Sequence, residues 1–276
     1  MSDASARRFL SLWLRRLQTD RIARRDRLAP APLVVAGALG NMLCLTAVND
    51  AAARLGLQAG LPLADARAMF PGIAVAKADA AADAALLECL AGWCLRYTPL
   101  VGIAPPDGLT LDITGCAHLF GGEEKLRRDL LRRLKHAGFA ASAAIADTVG
   151  AAHALARFVY APTTIVPSDQ SGRAIAHLPT WALRLPEGMA DALGKMGIDT
   201  VGEIEAKPRA PLALRFGPEL TRRLDQAYGR ASEPIEPVEA PELIQDRRMF
   251  AEPIGAPETL ARYTLQLVEA LCEALE

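Results

Sequence analysis

The first 158 residues alternate short apolar segments with segments whose apolar residues recur at helical spacing, and this alternation constrains the fold more than any other feature. The predicted strands are Phe9–Leu14, Leu33–Val35, Leu43–Val48, Ile73–Lys77, Leu109–Thr114 and Ala140–Asp147, and the second and third of them are predicted to form a hairpin around "GALGN". The predicted helices are Gln18–Arg25, Asp50–Leu57, Leu63–Met69, Asp79–Tyr97, Glu123–Ala137 and Thr148–Phe158. A proline-containing loop is predicted before Leu109. The alternation predicts an α/β fold in which helices pack on one sheet.

The second half of the chain has a different pattern. Residues 172–229 are predicted to be all helical, in short segments separated by prolines. Linkers are predicted at residues 161–172 and 230–243, the second rich in Pro and Glu and therefore extended. A last helix is predicted from about Pro257. It still runs where the sequence stops at Glu276, so we expect the last domain to be incomplete.

Charge, cysteine content and hydropathy indicate the kinds of partner and the compartment to expect. The net charge is −1 and the pI is about 6.5, so nothing global demands a polyanionic partner. The Arg-rich runs at residues 7–27 and 123–136 are typical of solvated helix faces or, alternatively, of phosphate- or partner-facing surfaces. Five cysteines without metal-ligand spacing predict buried thiols in a reducing compartment. No signal peptide or membrane span is expected, so we predict a cytoplasmic protein.

One short stretch carries the pattern of a metal site with a part missing. Asp107 and Asp112 bracket a short apolar strand, and a turn and a helix start follow. Paired acids on such a strand are typical of enzymes that hold Mg²⁺ for nucleotidyl transfer. The residue after Asp107 is Gly108, which has no side chain. The stretch therefore indicates either metal-dependent nucleotidyl transfer or the same fold without that chemistry.

Three segments resemble parts of the Y-family translesion DNA polymerases. "LTLDITG" and the sequence up to "AHALARF" resemble the palm, "VNDAAARLGLQAGLPLADARAMFPGIAV" the fingers, and "LRLPEGMADALGKMGIDTVGEI" the helix-hairpin-helix of the thumb. The runs "LSLWL", "DITGCAHLFGGE" and "RFGPELTRRLDQAYGR" resemble the ImuB-type branch of this family. The resemblance covers nearly the whole chain and implies an α+β palm, with helices on one sheet, and a small all-helical thumb.

The resemblance also implies a domain order. Residues 1–30 and 79–166 correspond to the palm, residues 31–78 to the fingers and residues 167–230 to the thumb. The remaining chain corresponds to a linker at residues 231–243 and to an incomplete, truncated little finger at residues 244–276.

The family's three metal-binding acids fall on Trp13, Asp107 and Gly108, while Asp112 matches a later acid of the family. An indole and a glycine cannot ligate Mg²⁺ through a side chain, so one carboxylate of three remains. We therefore expect no metal, no cofactor and no catalytic residue. Taken without the resemblance, Trp13 is most simply a core or interface aromatic, and Asp107 a loop residue that caps a turn.

The family's triphosphate-binding positions are altered as well. A Tyr and an Arg of the fingers correspond to Asp50 and Ala53, and a palm Lys corresponds roughly to His153. An acid beside a triphosphate repels it, so we expect no nucleotide to be held. His153 is otherwise interpreted as a partly exposed helix residue.

The resemblance implies a non-catalytic adaptor of a damage-induced (SOS) mutagenesis complex associated with the nucleoid. Its implied partners are a RecA-like ImuA-type protein, a DnaE-type error-prone polymerase and the sliding clamp. No clamp-binding peptide of the Q-x-x-[LM]-x-F kind is found, and "RRMF" at Arg247–Phe250 lacks the glutamine spacing. We therefore expect this chain to be a fragment without the clamp contact.

Two other functions stay open: a translesion polymerase with residual activity, and a weak nonspecific DNA-binding module. Partner binding is predicted at the Arg-rich helix, with Arg21, Arg24 and Arg25 as candidates. Weak DNA binding is predicted through the thumb, at Gly188, Lys195, Arg209, Arg215, Arg222 and Arg223. The family's Gly-x-Gly phosphate turn is reduced here to "PEGM" around Gly188.

Overall fold

The structure is a computed structural model that describes residues 7–27, 31–159, 164–239, 247–250, 253 and 255–275. The chain divides into two compact units, Met1–Val238 and Glu239–Glu276. Strands of the first unit are β1 (Phe9–Leu14), β2 (Leu33–Leu39), β3 (Met42–Val48), β4 (Ala74–Lys77), β5 (Val101–Ala104), β6 (Gly108–Asp112) and β7 (Ala141–Ala146). Its helices are α1 (Leu17–Arg25), α2 (Asp50–Arg54), α3 (Leu63–Met69), α4 (Ala80–Cys94), α5 (Glu123–His136), α6 (Val149–Phe158), α7 (Ser171–Ile175), α8 (Met189–Gly194), α9 (Val201–Glu205), α10 (Arg209–Phe216) and α11 (Pro218–Ala227).

Four strands form an antiparallel sheet in the order β5-β6-β1-β7, which we call the palm sheet after the predicted domain. Alternate residues of β1 point to opposite faces. Leu10, Leu12 and Leu14 are fully buried against the apolar faces of α4 and α5. On the other face lie Phe9 and Trp13, which pack with α6 and the short helices that follow it. Helices therefore cover both faces of the palm sheet.

The expectation of one sheet is wrong. Residues 33–77 form a separate three-stranded sheet in the order β3-β2-β4, which we call the finger sheet. The chain turns back at once from β2 to β3, and β4 then returns parallel to β2 after α2 and α3. This arrangement buries Val34 and Leu45 against Leu57 and Leu63 in a core of its own. The predicted hairpin of β2 and β3 is confirmed, whereas the pairing of β4 with β2 was not predicted, because it depends on contacts between residues far apart in the sequence.

The predicted elements are otherwise confirmed, with one omission. The predicted strand Phe9–Leu14 and helix Leu63–Met69 match residue for residue, and most of the others differ by a few residues at their ends. The omission is β5, whose residues were predicted to be loop. β5 is four residues long and runs into Pro105 and Pro106, so it carries little pattern of its own.

Short helices make up residues 171–227, as predicted. α9 begins with a capping box, in which Thr200 accepts a hydrogen bond from the Glu203 N–H and the Glu203 side chain accepts one from the Thr200 N–H. The buried residues of these helices share one apolar core with α6.

Both outer edges of the palm sheet are covered by other chain segments. At β7, Ile145 donates to the Thr164 carbonyl (2.8 Å) and accepts from the Val166 N–H (2.9 Å). At β5, the Val238 N–H donates to the Val101 carbonyl over 2.7 Å. Val238 ends an irregular segment, residues 232–238, which we call the strap. It forms most of the described part of the predicted linker, which is residues 231–239, and the linker's residues 240–243 lie outside the described residues.

The second unit contains the helix α12 (Pro257–Leu275), as predicted. The Phe250 and Tyr263 rings pack within this unit, with centroids 4.8 Å apart. Among the helices in the described ranges, none is long and apolar enough to cross a membrane. The domain bounds given by the resemblance stay predictions.

Candidate functional site

The structure brings Trp13, Asp107 and Gly108 together at one end of the palm sheet. Trp13 and Gly108 lie directly opposite each other in the β1–β6 pair. Asp107 precedes β6, and its carbonyl accepts a hydrogen bond from the Leu14 N–H over 2.8 Å. The Trp13 indole Nε1–H donates to Asp107 Oδ2 over 2.7 Å. The indole is therefore a partner of the remaining carboxylate.

The second oxygen of Asp107 is bound by Arg157, a residue of α6. Arg157 Nη2 donates to Asp107 Oδ1 over 2.8 Å, and the guanidinium carbon lies 5.7 Å from the Trp13 ring centroid. The Arg157 side chain is 12% exposed. Burial lowers its pKa and Asp107 opposes this effect, but a guanidinium stays charged in proteins. A fixed cation thus neutralises Asp107, as a metal ion would.

Gly108 has no room for a side chain. A Cβ built on it would lie 2.8 Å from Arg157 Nη2 and 2.8 Å from the Leu12 carbonyl oxygen. Real Cβ atoms essentially never approach that closely, so a residue with a side chain would displace either the guanidinium or the β1 backbone. The closed centre, defined as Trp13, Asp107, Gly108 and Arg157, is a packed unit.

These residues do not fit a two-metal site. Such a site needs several hard oxygen ligands that converge from separate strands. The closed centre offers one carboxylate, and both of its oxygens already accept hydrogen bonds. Across the described ranges, no group of three or more His, Cys, Asp or Glu side chains is placed to hold a metal ion.

The triphosphate positions are not gathered at the closed centre. Asp50 begins α2, and its Oδ2 lies 2.5 Å from Arg16 Nη1, while Ala53 is exposed on the same helix. His153 lies on α6 beside a separate cavity of about 410 Å³. Burial, followed by the nearby guanidinium groups of Arg157, Arg184 and Arg223, lowers the His153 pKa from 6.5 to about 2. His153 is therefore neutral at pH 7.

A larger cleft of about 880 Å³ lies between the palm and finger sheets. Its walls combine the β1–α1 junction, the exposed face of α4, the β5–β6 turn, the edge of β3 and the end of the strap. Asp107 lies on its rim, but Asp50, Ala53 and His153 do not line it.

Most of the predicted DNA-binding arginines are engaged in ion pairs. Arg209 contacts Asp225 (2.8 Å), Arg222 contacts Glu219 (2.7 Å), and Arg223 contacts Glu219 (2.8 Å). Lys195 and Arg215 are exposed, and the ion pairs found among the described residues do not include them. Gly188 has φ 75° and precedes α8, and a Cβ built on it would meet nothing within 4 Å. The candidates left with free charge are Lys195 and Arg215.

The predicted partner-binding arginines differ from one another. Arg21 Nε lies 2.6 Å from Asp83 Oδ1, and both side chains are about nine-tenths buried. Arg21 therefore joins α1 to α4 inside the fold and cannot serve as a surface contact. Arg24 lies over the Phe139 ring at 4.5 Å, and the exposed Arg25 pairs with Asp26.

Sequence reasoning did not single out Arg157, Arg184 or Glu233, which organise these sites. The signal for Arg157 is its isolation, because it is the one residue of α6 with a permanent charge, four positions after His153. For Arg184 and Glu233 the sequence carries no such signal.

The palm sheet, the finger sheet and the helical residues 171–227 define a Y-family polymerase-like fold. DinB from Sulfolobus solfataricus is similar, with a TM-score of 0.62 and 18% identity over 83% of this chain and 69% of that chain. The Y-family DNA polymerase chimera Dbh-Dpo4(243-245)-Dbh has a TM-score of 0.66 and 17% identity, over 84% and 70% of the two chains. At this identity the likeness concerns the fold alone.

The sequence identifies the family. The model of the impB/mucB/samB family matches residues 18–157, and the chain belongs to this family. Protein ImuB of Caulobacter vibrioides (strain NA1000 / CB15N) is 47% identical over 222 residues, which are 80% of this chain and 48% of that protein. DNA polymerase IV of Shewanella sp. (strain ANA-3) is 25% identical over 206 residues, 72% of this chain and 56% of that enzyme. The chain thus spans about half the length of these curated relatives.

Proposed function

We propose that this chain is a non-catalytic, polymerase-shaped adaptor in DNA-damage-induced mutagenesis. The polymerase-like body would bind other proteins of the complex and would not join nucleotides. The similarity to proteins named ImuB over 80% of the chain supports this assignment. The ImuB resemblance suggests as partners a DnaE-type error-prone polymerase, a RecA-like protein and the sliding clamp.

The observation that carries the proposal is the position of Arg157. Two-metal phosphoryl transfer requires cations that approach a carboxylate cage and remain open to the substrate. Here the cation is a side chain of the protein, bound to Asp107 at 2.8 Å and packed over Trp13. A guanidinium has no free coordination position and cannot activate a 3′-hydroxyl. Asp107 therefore contributes to packing, and its chemical role is lost.

The nucleotide-binding side supports the same function. In place of groups that attract a triphosphate, Asp50 presents a carboxylate, which is 59% exposed and pairs with Arg16. A triphosphate at this position would have to break that pair and accept a like charge. The cost of a like-charge contact is several times larger near a protein surface than in bulk water.

Primer extension tests the absence of chemistry. The purified chain is incubated with primer-template DNA and all four nucleotides in Mg²⁺ and, separately, in Mn²⁺, with an active DNA polymerase IV as positive control. We expect no template-directed product above a mock purification. A nucleotide-dependent product that an Asp107→Asn variant fails to make would replace the adaptor by the residual polymerase.

Co-purification tests the adaptor role. We expect the chain to retain a DnaE-type polymerase or a RecA-like partner from the same organism, and the double variant Arg24→Glu/Arg25→Glu to retain less. The control is Arg128→Glu/Arg132→Glu, which makes the same change in charge at two exposed arginines of α5, paired with Glu124 and Asp129. Equal losses in the two variants would remove the α1 surface as the partner site, and no retention of either partner would contradict the adaptor.

A further inference from the structure

A second cluster of charged groups lies beside the 410 Å³ cavity, on the α6 side of the palm sheet. Its central contact is a bidentate ion pair between Arg184 and the strap residue Glu233, with N–O distances of 2.7 Å and 2.8 Å. Arg223 Nη1 lies 3.5 Å from the same carboxylate. Glu233 therefore lies between two arginines that come from different parts of the helical region.

The cavity next to this pair contains polar groups that the fold leaves unused. Arg184 Nε and His153 Nδ1 are buried without a hydrogen-bond partner in the described structure. Thr110 of β6 and Arg223 also line the cavity. A buried polar atom without a partner destabilises the fold, so such atoms beside a cavity favour a further polar ligand.

The backbone of Arg184 is also unusual. Its φ of 56° lies in the left-handed region, which a residue with a Cβ rarely adopts. Strained conformations of this kind persist where the surrounding structure requires them, and they occur preferentially at ligand sites. Here the conformation accompanies a side chain that points at Glu233 and the cavity.

Bidentate contact with a carboxylate is geometrically equivalent to bidentate contact with a phosphate. A phosphate offers more acceptor oxygens, so it can bind Arg184 Nη1 and Nη2 and still reach a donor of a second residue, such as Arg223 Nη1. Without Glu233, Arg184 loses its carboxylate partner, whereas Arg223 keeps its contact with Glu219. The charge of the site would then be more positive by one unit. Glu236, on the same strap, also lines the cavity but is not among the described ion-pair partners.

Several contacts hold the strap to the rest of the first unit. The Glu233 pair is the first. Ile235 packs over Gly102, where a Cβ would lie 2.5 Å from Ile235 Cγ2, and the Val238 N–H donates to Val101. The loss of the Glu233 pair would free the end of the strap nearest the helical region.

We propose that Arg184 and Arg223 form a phosphate-binding site which Glu233 occupies in the absence of ligand. A phosphate of a nucleic-acid backbone displaces Glu233 and loosens the strap. Glu233 is thus an internal competitor that weakens phosphate binding. The inference does not depend on the adaptor role, because phosphate binding and the retention of a partner protein are measured separately.

The test uses two variants that remove the same charge from the same strap. Glu233→Gln removes the competitor, and the control Glu236→Gln removes a carboxylate outside the described ion pairs. Affinity for a fluorescent single-stranded oligonucleotide is measured by anisotropy at low salt. We expect Glu233→Gln to bind about five-fold more tightly than the wild type, and Glu236→Gln to change affinity by less than about two-fold. In Glu233→Gln/Arg184→Gln the gain should disappear.

Hydrogen exchange measures the strap itself. We expect the backbone amides around Glu233 in the strap to exchange faster when the oligonucleotide is bound, and to do so without ligand in Glu233→Gln. Inorganic pyrophosphate is the second probe: a response to both probes assigns the site to phosphate groups in general, and a response to the oligonucleotide alone assigns it to the nucleic-acid backbone. Equal affinities of the two strap variants, or strap exchange that neither probe changes, would refute the site. Near-UV circular dichroism confirms that each variant is folded.

Discussion

At Gly108 the absence of one methyl group decides whether the closed centre can form. We predict that Gly108→Ala lowers the free energy of unfolding by about 1–3 kcal/mol, because the new Cβ meets Arg157 Nη2 and the Leu12 carbonyl at 2.8 Å. Urea denaturation measures this. The control is Gly92→Ala in α4, where a Cβ meets nothing within 4 Å. Gly92→Ala should stabilise the helix by about 0.5–1 kcal/mol, and a similar gain at Gly108 would contradict the geometry.

His153 predicts a dependence of stability on pH. Its pKa falls from 6.5 to about 2 on folding, so the unfolded state binds the proton more readily. The neutral side chain is fully accommodated above pH 6.5, and stability is lost as the pH falls below that value. The loss approaches about 1.4 kcal/mol per pH unit. We expect His153→Leu to unfold with a weaker pH dependence between pH 6.5 and 4.5 than the wild type, and parallel curves would show that His153 does not titrate on unfolding.

At the scale of residues, the sequence identified the family positions that differ in this chain, but it did not predict that Arg157 binds Asp107. Trp13, Asp107 and Gly108 are recognisable from the family pattern. The contact between Arg157 and Asp107 joins residues 50 positions apart and depends on how α6 packs on the palm sheet. No local pattern specifies such a contact.

Between elements, the ion pair of Arg21 and Asp83 joins α1 to α4. We predict that Asp83→Ala destabilises the fold by about 3 kcal/mol, because it leaves a buried guanidinium without a partner. Arg25→Ala should change stability by less than about 0.5 kcal/mol, because its pair with Asp26 is exposed. Chemical denaturation measures the free energy of unfolding of both variants. Equal losses would show that the pair of Arg21 and Asp83 stabilises the fold no more than an exposed ion pair does.

In the helical region, the free and the paired cations should contribute unequally to DNA binding. We predict that Arg215→Gln and Lys195→Gln each reduce the slope of log affinity against log salt by about 0.7–0.9. Arg209→Gln should have a smaller effect, because Asp225 and Glu205 already neutralise Arg209. Anisotropy titrations over a salt series test this, and a larger effect at Arg209 would show that its ion pairs open on DNA.

The elements differ in how well the sequence predicted them. α5 was predicted to within one residue because acids in its first turn and basic residues in its last turn mark both ends. β5 was missed because its four residues become a strand only through pairing with β6. The finger sheet was predicted only in part: the hairpin of β2 and β3 was recognised, but the pairing of β4 with β2 was not.

In the whole molecule, the polymerase-like fold is retained around a centre without an open metal site. The cores of the palm sheet, the finger sheet and the helical region lie in elements that the closed centre does not interrupt. A fold stabilised by such cores does not depend on catalytic groups, so those groups can change while the architecture persists.

The covered edges of the palm sheet limit self-association of this protein. An uncovered edge strand offers N–H and C=O groups that pair with a second molecule and begin aggregation. We predict that Val238→Pro, which lacks the N–H donated to Val101, self-associates at concentrations where Val238→Ala stays monomeric, as measured by light scattering. Equal behaviour of the two variants would contradict this. The strap therefore also protects the β5 edge. Any ligand that loosened the strap would increase the tendency of the protein to self-associate through this edge.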